Sequence, residues 1–126
     1  MKTEDFKELK RLEKVVKKLD RDLDSIIVEG IDDKEVMRKL GFTGKIFLSA
    51  ERTIQDLVED VSRGSDRVAV LTDFDSHGKS ENQKIRHALQ GEVKNSVSAR
   101  EEFGLELTSN DRHAVEDVRP LFNDKN

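Results

Sequence analysis

Three short apolar runs alternate along the chain with segments whose apolar residues recur every three or four positions. The runs occupy residues 25–29, 45–49 and 67–72, and the periodic segments between them occupy residues 32–40 and 54–64. A continuous apolar run of this length is typical of a strand buried on both faces of a parallel sheet. A spacing of three and four is typical of an amphipathic helix. Strands that alternate with helices form right-handed βαβ units, so the sequence predicts an α/β fold with a mostly parallel sheet of about four strands.

The segments outside these units are also predicted to be largely helical. Residues 1–22 carry an apolar stripe at helical spacing, and we expect this amphipathic helix to pack on its own domain because fewer than four heptads is short for a coiled coil. A homodimer or protein-partner interface through the same stripe is the alternative. After the third strand we expect a helix at residues 79–90, a weak fourth strand at 92–97, a turn or short helix at 99–103 and a last helix at 111–122.

Composition limits both the size of the fold and its chemistry. The 126 residues suit a single domain (1–126), with a core at 25–97 and a C-terminal extension at 98–126. The absence of Cys excludes disulfides, thiolate zinc sites and cysteine nucleophiles. The absence of Tyr excludes a covalent phosphotyrosine intermediate. No apolar run approaches the roughly 20 residues of a membrane span, and the N-terminus has no signal-peptide pattern, so we expect a cytoplasmic protein without a membrane partner.

Charge is abundant but nearly balanced. Charged residues make up 40% of the chain, against about a quarter in an average domain, and the net charge is −4. Because the two signs nearly cancel and the apolar residues are periodic, we expect a folded domain. The small negative charge argues against a sequence-blind nucleic-acid coat, which would be strongly basic, but it allows a local basic groove.

Acidic residues follow two of the predicted strands. Glu29 ends the first strand, and Asp73 and Asp75 follow the third. The carboxyl ends of parallel strands lie at one edge of a sheet, where functional residues collect. Asp73 and Asp75 are two positions apart, so in an extended segment their side chains point the same way. Three carboxylates suit Mg²⁺, which prefers oxygen ligands. The alternative is that an aspartate at a strand end simply caps a turn or helix, as we expect Asp32 or Asp33 to do.

These same residues carry a resemblance to a known family. Residues 26–30 (Ile-Ile-Val-Glu-Gly), followed by Asp32-Asp33, and residues 72–78 (Thr-Asp-Phe-Asp-Ser-His-Gly) resemble the Toprim domain. The resemblance covers about residues 25–97, and the whole chain is most similar to the small stand-alone Toprim proteins found chiefly in archaea. Residues 82–86 are also similar to the ribonuclease that matures 5S ribosomal RNA. Bacterial-type primases share the domain.

The resemblance implies a Toprim (Rossmann-like) fold and specific roles. It implies that Glu29 is a general acid/base, that Asp73 and Asp75 hold Mg²⁺ (with Mn²⁺ as a substitute), and that Gly30 and Gly78 shape the two loops. The chain departs from type IA topoisomerases at His77 and at Lys79, which replaces an acidic residue. Topoisomerase chemistry needs a tyrosine, and a self-sufficient primase needs further modules. Neither requirement is met here.

The expected function is therefore Mg²⁺-dependent action on nucleic acid, most simply phosphodiester cleavage of the ribonuclease or nuclease kind. The alternative is a non-catalytic metal- and nucleic-acid-binding subunit of a larger RNA- or DNA-processing complex. A CheY-like receiver also pairs acids with parallel strands. Its phosphoacceptor aspartate should end a middle strand and be followed by a lysine on a later strand, and this order is not evident here.

Basic residues outnumber acids in the two segments expected to flank the acids, residues 34–45 and 79–100. Phosphate contacts require such positive charge, although ordinary solvated helix faces carry it too. The candidate nucleic-acid contacts, with the loop histidine, are Lys34, Arg38, His77, Lys79 and Arg86. We expect Phe74, between the two aspartates, to belong to the core, and His113 to lie on the surface.

Overall fold

A sheet of four parallel strands forms the centre of the computed structural model, which describes residues 3–122. The strands are β1 (Ser25–Val28), β2 (Lys45–Leu48), β3 (Arg67–Val70) and β4 (Lys94–Asn95). Their order is β2-β1-β3-β4, so β1 and β3 are the inner strands. All neighbouring pairs are parallel, and Ile27 of β1 lies level with Phe47 of β2 and Val70 of β3. The predicted α/β fold with its parallel sheet is confirmed.

Helices cover both faces of this sheet. They are α1 (Thr3–Asp22), α2 (Ile31–Leu40), α3 (Ile54–Gly64), α4 (Ser76–Leu89), α5 (Val97–Thr108) and a final 3₁₀ helix (Val115–Phe122). The face that includes Ile26 and Val28 packs against α1, α2, α5 and the 3₁₀ helix. The opposite face, which includes Ile27 and Val70, packs against α3 and α4. Both sides of the inner strands are therefore buried, which explains why their sequences are continuous apolar runs.

Helix α1 packs on its own domain, as its apolar stripe predicts. Leu12, Val16 and Leu19 are buried in the core beneath α1. Arg112 also donates two hydrogen bonds to the Glu8 carboxylate, 2.5 and 3.0 Å long, which join α1 to the segment before the 3₁₀ helix. Residues 1–2 of the predicted N-terminal helix and 123–126 of the predicted extension lie outside the described residues. Between residues 3 and 122, no helix combines the length and apolarity that a membrane crossing requires.

The region after β3 differs from the prediction in its boundaries. Helix α4 begins at Ser76, three residues earlier than expected, because Asp75 caps it. The fourth strand has two residues where six were predicted, because the N–H groups of Glu92 and Val93 bind the Leu89 carbonyl in a turn that follows α4.

The C-terminal segment also differs in its helices. The predicted short turn at 99–103 is part of the twelve-residue α5, whose N-cap hydroxyl, on Ser96, accepts a hydrogen bond from Ala99 N–H. The final helix starts at Val115 where 111 was expected. Asp111 has a positive φ of 59°, which breaks helical geometry before that point.

Candidate metal centre at the carboxyl edge of the sheet

Glu29 and Asp73 meet where the two inner strands end. Glu29 directly follows β1, and the chain beyond β3 stays beside β1 because Leu71 N–H donates to the Ile27 carbonyl over 2.7 Å. The carboxyl groups are close enough for a side-chain hydrogen bond between them, which is one of the effects that raise the pKa of Asp73. Glu29 Oε1 is buried and has no hydrogen-bond partner among residues 3–122. A buried carboxylate oxygen without a donor is a position that a cation or a proton can satisfy.

Asp73 has the most strongly perturbed carboxyl group of this edge. Burial raises its pKa from the ordinary value of 3.8 to about 7, and the charges of Glu29, Asp33 and Asp75 add to the effect. Like charges held close together disfavour ionisation of every member of the group. At neutral pH this cluster therefore gains from any cation that shares its oxygens, and a strongly perturbed carboxyl of this kind is a marker of functional sites.

Asp33 contributes to the same cluster while it caps α2. The N-cap of α2 is Gly30, one residue after Glu29. The prediction that Asp32 or Asp33 occupies the N-cap position is therefore wrong. Asp33 lies three residues further on, where its Oδ2 accepts from Gly30 N–H at 3.1 Å and its Oδ1 accepts from Glu116 N–H at 2.8 Å. Burial raises the pKa of Asp33, although both hydrogen bonds oppose the rise. Asp32 instead lies 3.4 Å from Arg119.

Asp75 caps α4 at the same edge of the sheet. Its Oδ1 accepts from Gly78 N–H at 2.8 Å, and its side chain is exposed. Phe74, between the two aspartates, is buried in the core as expected. Within the described part of the chain, no three Asp, Glu or His side chains already stand together as a metal-binding group. The cap agrees with the helix-capping role that the sequence also allowed for a strand-end aspartate, and it orients one Asp75 oxygen toward α4.

The two predicted loop glycines differ in what the backbone demands of them. A Cβ on Gly78 would stand 1.9 Å from the Asp73 carbonyl oxygen, so only glycine fits the turn that carries Asp73 and Asp75. A Cβ on Gly30 would meet nothing within 4 Å, and its φ of −140° is accessible to any residue. Gly78 therefore fixes the second loop, whereas the first loop places no steric demand on Gly30 and has open space beside it.

Arg100 organises the loop that carries Asp73. From the sequence, it was counted only among the basic residues of the segment 79–100, which was expected to flank the acids. Its Nη1 donates to the carbonyls of Val70 and Thr72 at 2.9 and 2.8 Å, and its Nη2 donates to the Asp73 carbonyl at 3.1 Å. The guanidinium also lies 4.2 Å from the centre of the Phe74 ring. Burial lowers the pKa of Arg100 to about 10, and the Asp73 charge opposes this change.

A sequence signal for this role does exist. Arg100 stands on the apolar stripe of α5, beside Ala99 and one turn before Phe103. An arginine at such a position cannot reach water easily and has to find acceptors inside the protein.

The candidate nucleic-acid contacts are distributed over two helices that start at this edge. Lys34 lies in the first turn of α2, and His77 and Lys79 lie in the first turn of α4, where both are exposed. Arg86 is exposed two turns further along α4. These four residues are therefore available on the two helices that begin beside the acids.

Arg38 lies away from this edge, whereas His113 lies beside the loop that carries the two aspartates. Arg38 is in the last turn of α2, where it donates to the carbonyls of Phe42 and Gly44 at 2.9 and 2.7 Å. Because α2 runs back toward the start of β2, this position is at the amino edge of the sheet. His113 is exposed, as expected, and its carbonyl accepts from Phe74 N–H at 2.5 Å.

The fold and the site together define a three-layer α/β domain with an acidic centre at the carboxyl edge of its inner strands. A scan against family profiles finds no match for the chain. It is 30% identical over 112 residues to the UPF0292 protein of Pyrococcus furiosus, a match that covers 89% of this chain and 84% of that protein. It is 29% identical over 114 residues to the UPF0292 protein of Thermococcus sibiricus, with 90% and 89% covered. The chain belongs to the UPF0292 family.

A solved structure supports the same fold. A protein from Aquifex aeolicus superposes with a TM-score of 0.68 and 28% sequence identity, over 86% of this chain and 95% of that one. The similarity therefore extends over most of both chains.

Proposed function

We propose that this chain is a Toprim-type protein that uses Mg²⁺, or Mn²⁺ in its place, to cleave phosphodiester bonds in nucleic acid. One observation carries the proposal. The Glu29 and Asp73 carboxyl groups meet at the carboxyl edge of the two inner strands, and a buried oxygen of Glu29 has no hydrogen-bond partner among the described residues. Two carboxylates in such proximity supply hard oxygen atoms, which fit a divalent cation of the magnesium kind.

Each acid has a role that its position supports. Asp73 and Asp75 would hold the ion, with Glu29 as general acid/base or additional ligand. A bound Mg²⁺ would supply charge stabilisation to the phosphate and acidify a water molecule. Glu29 would accept the proton of the attacking water, because its carboxyl group lies beside the proposed metal ligand Asp73. Asp33 adds negative charge near Asp73 while it remains bound to two backbone N–H groups.

The surroundings favour an anionic substrate. Helices α2 and α4 both begin at this edge, and a helix N-terminus favours negative charge. Lys34, His77 and Lys79 lie in their first turns. These cations, together with the open space beside Gly30, allow a phosphate group to approach the acids. Nucleic acid is the substrate class that such contacts suit best.

The test is cleavage by the purified protein together with direct metal binding. We expect cleavage of RNA or DNA oligonucleotides with Mg²⁺ or Mn²⁺ and none with EDTA. Glu29→Gln is expected to lower the cleavage rate at least about 100-fold and to weaken Mn²⁺ binding measured by calorimetry. The matched control is Glu51→Gln, an exposed carboxylate in the segment that follows β2. Equal effects of the two variants, or metal-independent cleavage, would contradict the proposal.

A second function is a non-catalytic metal- and nucleic-acid-binding subunit of a larger RNA- or DNA-processing complex. The observation that favours it is the use of one Asp75 oxygen as a helix cap, with no three acidic or histidine side chains of residues 3–122 preassembled around an ion position. A partner that copurifies in stoichiometric amount from the host, with cleavage only in its presence, would identify this function.

A further inference from the structure

A groove of about 380 Å³ runs between α4 and α5 beside the candidate metal centre. One wall is formed by Lys79, Asn82 and Arg86 of α4, and the other includes Gly104 and Leu105 of α5. Its volume lies in the range of ligand-binding clefts, which begin at roughly 300 Å³. The two walls differ in chemistry, and this difference identifies the occupant.

The α4 wall is cationic and linear. Lys79, Asn82 and Arg86 follow a spacing of three and four residues, so they share one face of the helix. Seven residues of α-helix extend about 10 Å. Charges recur every 3.4 Å or so along one strand of duplex DNA, so this wall is long enough to contact more than one phosphate of a strand. An amide between two cations adds a donor and an acceptor.

The α5 wall presents apolar surface at Val97, Gly104 and Leu105, next to Arg100, Glu101 and Thr108. Leu105 is 71% exposed, an unusual state for a leucine beside a polar groove. Gly104 has no side chain at a point where a Cβ would stand 2.6 Å from the Phe74 ring, so the ring packs directly beneath this wall. Glu101 is the acidic residue of the lining. A cationic wall opposite an exposed leucine is complementary to a chain that carries phosphates on one side and unpaired bases on the other.

The groove adjoins the loop that carries Asp73, although neither Glu29 nor Asp73 lines it. Phe74 lies in its floor and stands between Asp73 and Asp75 in sequence, while Arg100 lines the groove and binds the Asp73 carbonyl. We propose that this groove binds a single-stranded segment of nucleic acid and leads it to the candidate metal centre. The inference rests on the proposed function, which names nucleic acid as the substrate, and it adds that the bound nucleic acid is single-stranded. In a duplex the base faces are stacked and paired, so they cannot reach Leu105.

The test is fluorescence anisotropy with a labelled eight-nucleotide single strand, as RNA and as DNA, against a blunt hairpin of the same sequence. All binding is measured in EDTA, so the result does not depend on metal chemistry. Arg86→Glu is expected to weaken single-strand binding about tenfold at low salt and to lower the slope of log K against log salt by about 0.7. The control Arg63→Glu makes the same charge change on α3, at an exposed side chain outside the groove lining. Its expected effect is less than about twofold.

A second pair of variants tests the α5 wall. Leu105→Ser is expected to weaken binding about fivefold or more, whereas Phe6→Ser, at an exposed apolar residue of α1, leaves it unchanged. Binding of either oligonucleotide with these differences supports the groove, even if cleavage is absent and the proposed activity is wrong. Absence of single-strand binding at low salt, equal affinity for the hairpin, or equal effects of each variant and its control overturns the inference.

Discussion

Replacement of Asp73 by Asn is expected to make the metal-free protein more stable at pH 8, although the residue is a proposed metal ligand. In the folded protein burial and the neighbouring carboxylates raise the pKa of Asp73 from 3.8 to about 7. The folded state therefore binds the proton more tightly than the unfolded chain does. The stability associated with this group is complete below about pH 4 and is lost as the pH rises toward 7. Asparagine has the same shape and carries no charge, so it avoids that loss.

The magnitude follows from the displacement of the pKa. A change from 3.8 to about 7 corresponds to at most about 4 kcal/mol, since one pKa unit is worth 1.36 kcal/mol. Asp73 is only partly buried, and solvent screening reduces this figure to about 2 kcal/mol. For a chain of 126 residues, such a gain raises Tm by roughly 6–10 °C. The gain should shrink toward zero near pH 4, where the wild-type carboxyl is protonated in the folded state.

The assay is thermal and urea unfolding of both proteins in EDTA between pH 4 and pH 8. Asp66→Asn is the matched control, because Asp66 is exposed and directly precedes β3 at the opposite edge of the sheet. Added Mg²⁺ should stabilise the wild type more than Asp73→Asn, because the ion offsets the same repulsion. A variant that is less stable than the wild type at pH 8, or a gain that is independent of pH, would refute the reasoning.

Three further variants test the supporting structure, each by urea unfolding. Gly78→Ala should destabilise by about 3 kcal/mol or more, because its Cβ would collide with the Asp73 carbonyl, whereas Gly30→Ala should change stability by less than about 0.5 kcal/mol; equal effects would contradict the loop geometry. Arg100→Met should cost about 3–5 kcal/mol of stability because it leaves buried carbonyls unpaired. Arg100→Lys should recover only part of this loss, since an ammonium cannot span three carbonyls. Full recovery would show that the guanidinium geometry is not required. Glu8→Gln should lower the free energy of unfolding by about 2–4 kcal/mol because it breaks the buried ion pair with Arg112. A loss below about 1 kcal/mol would mean that this pair contributes no more than an exposed salt bridge.

The boundaries after β3 show why part of the fold escaped prediction. Lys94 and Asn95 form a strand by pairing with Arg67 and Val68, which lie far away in sequence. Neither residue has strong strand propensity, so only the neighbouring strand decides their conformation. The buried face of α5 includes Arg100 and Gly104, while Leu105 is exposed, and this mixture blurred the apolar periodicity on which its prediction depended.

The candidate site was also predicted only in part. That Glu29 and Asp73 lie at one edge of the sheet followed from their positions after two parallel strands. Three other features depended on side-chain contacts with distant or differently oriented backbone. Asp75 uses one oxygen to cap α4, Asp33 joins the acidic group while it caps α2, and Arg38 lies at the opposite edge of the sheet. Local patterns are silent about such partners.

The sequence by itself determined the alternation of strands and helices, the parallel sheet and the edge at which the acids would meet, because hydrophobic periodicity and strand direction are local properties of the chain. The tertiary structure decided which of those acids lie close together, that the pKa of Asp73 is raised, and that Arg100 is buried beneath the loop. It also brought residues of α4 and α5, which cover opposite faces of the sheet, to the two sides of one groove. These properties arise from burial and from charges brought together across the fold, and their strength depends on distances that no local pattern encodes.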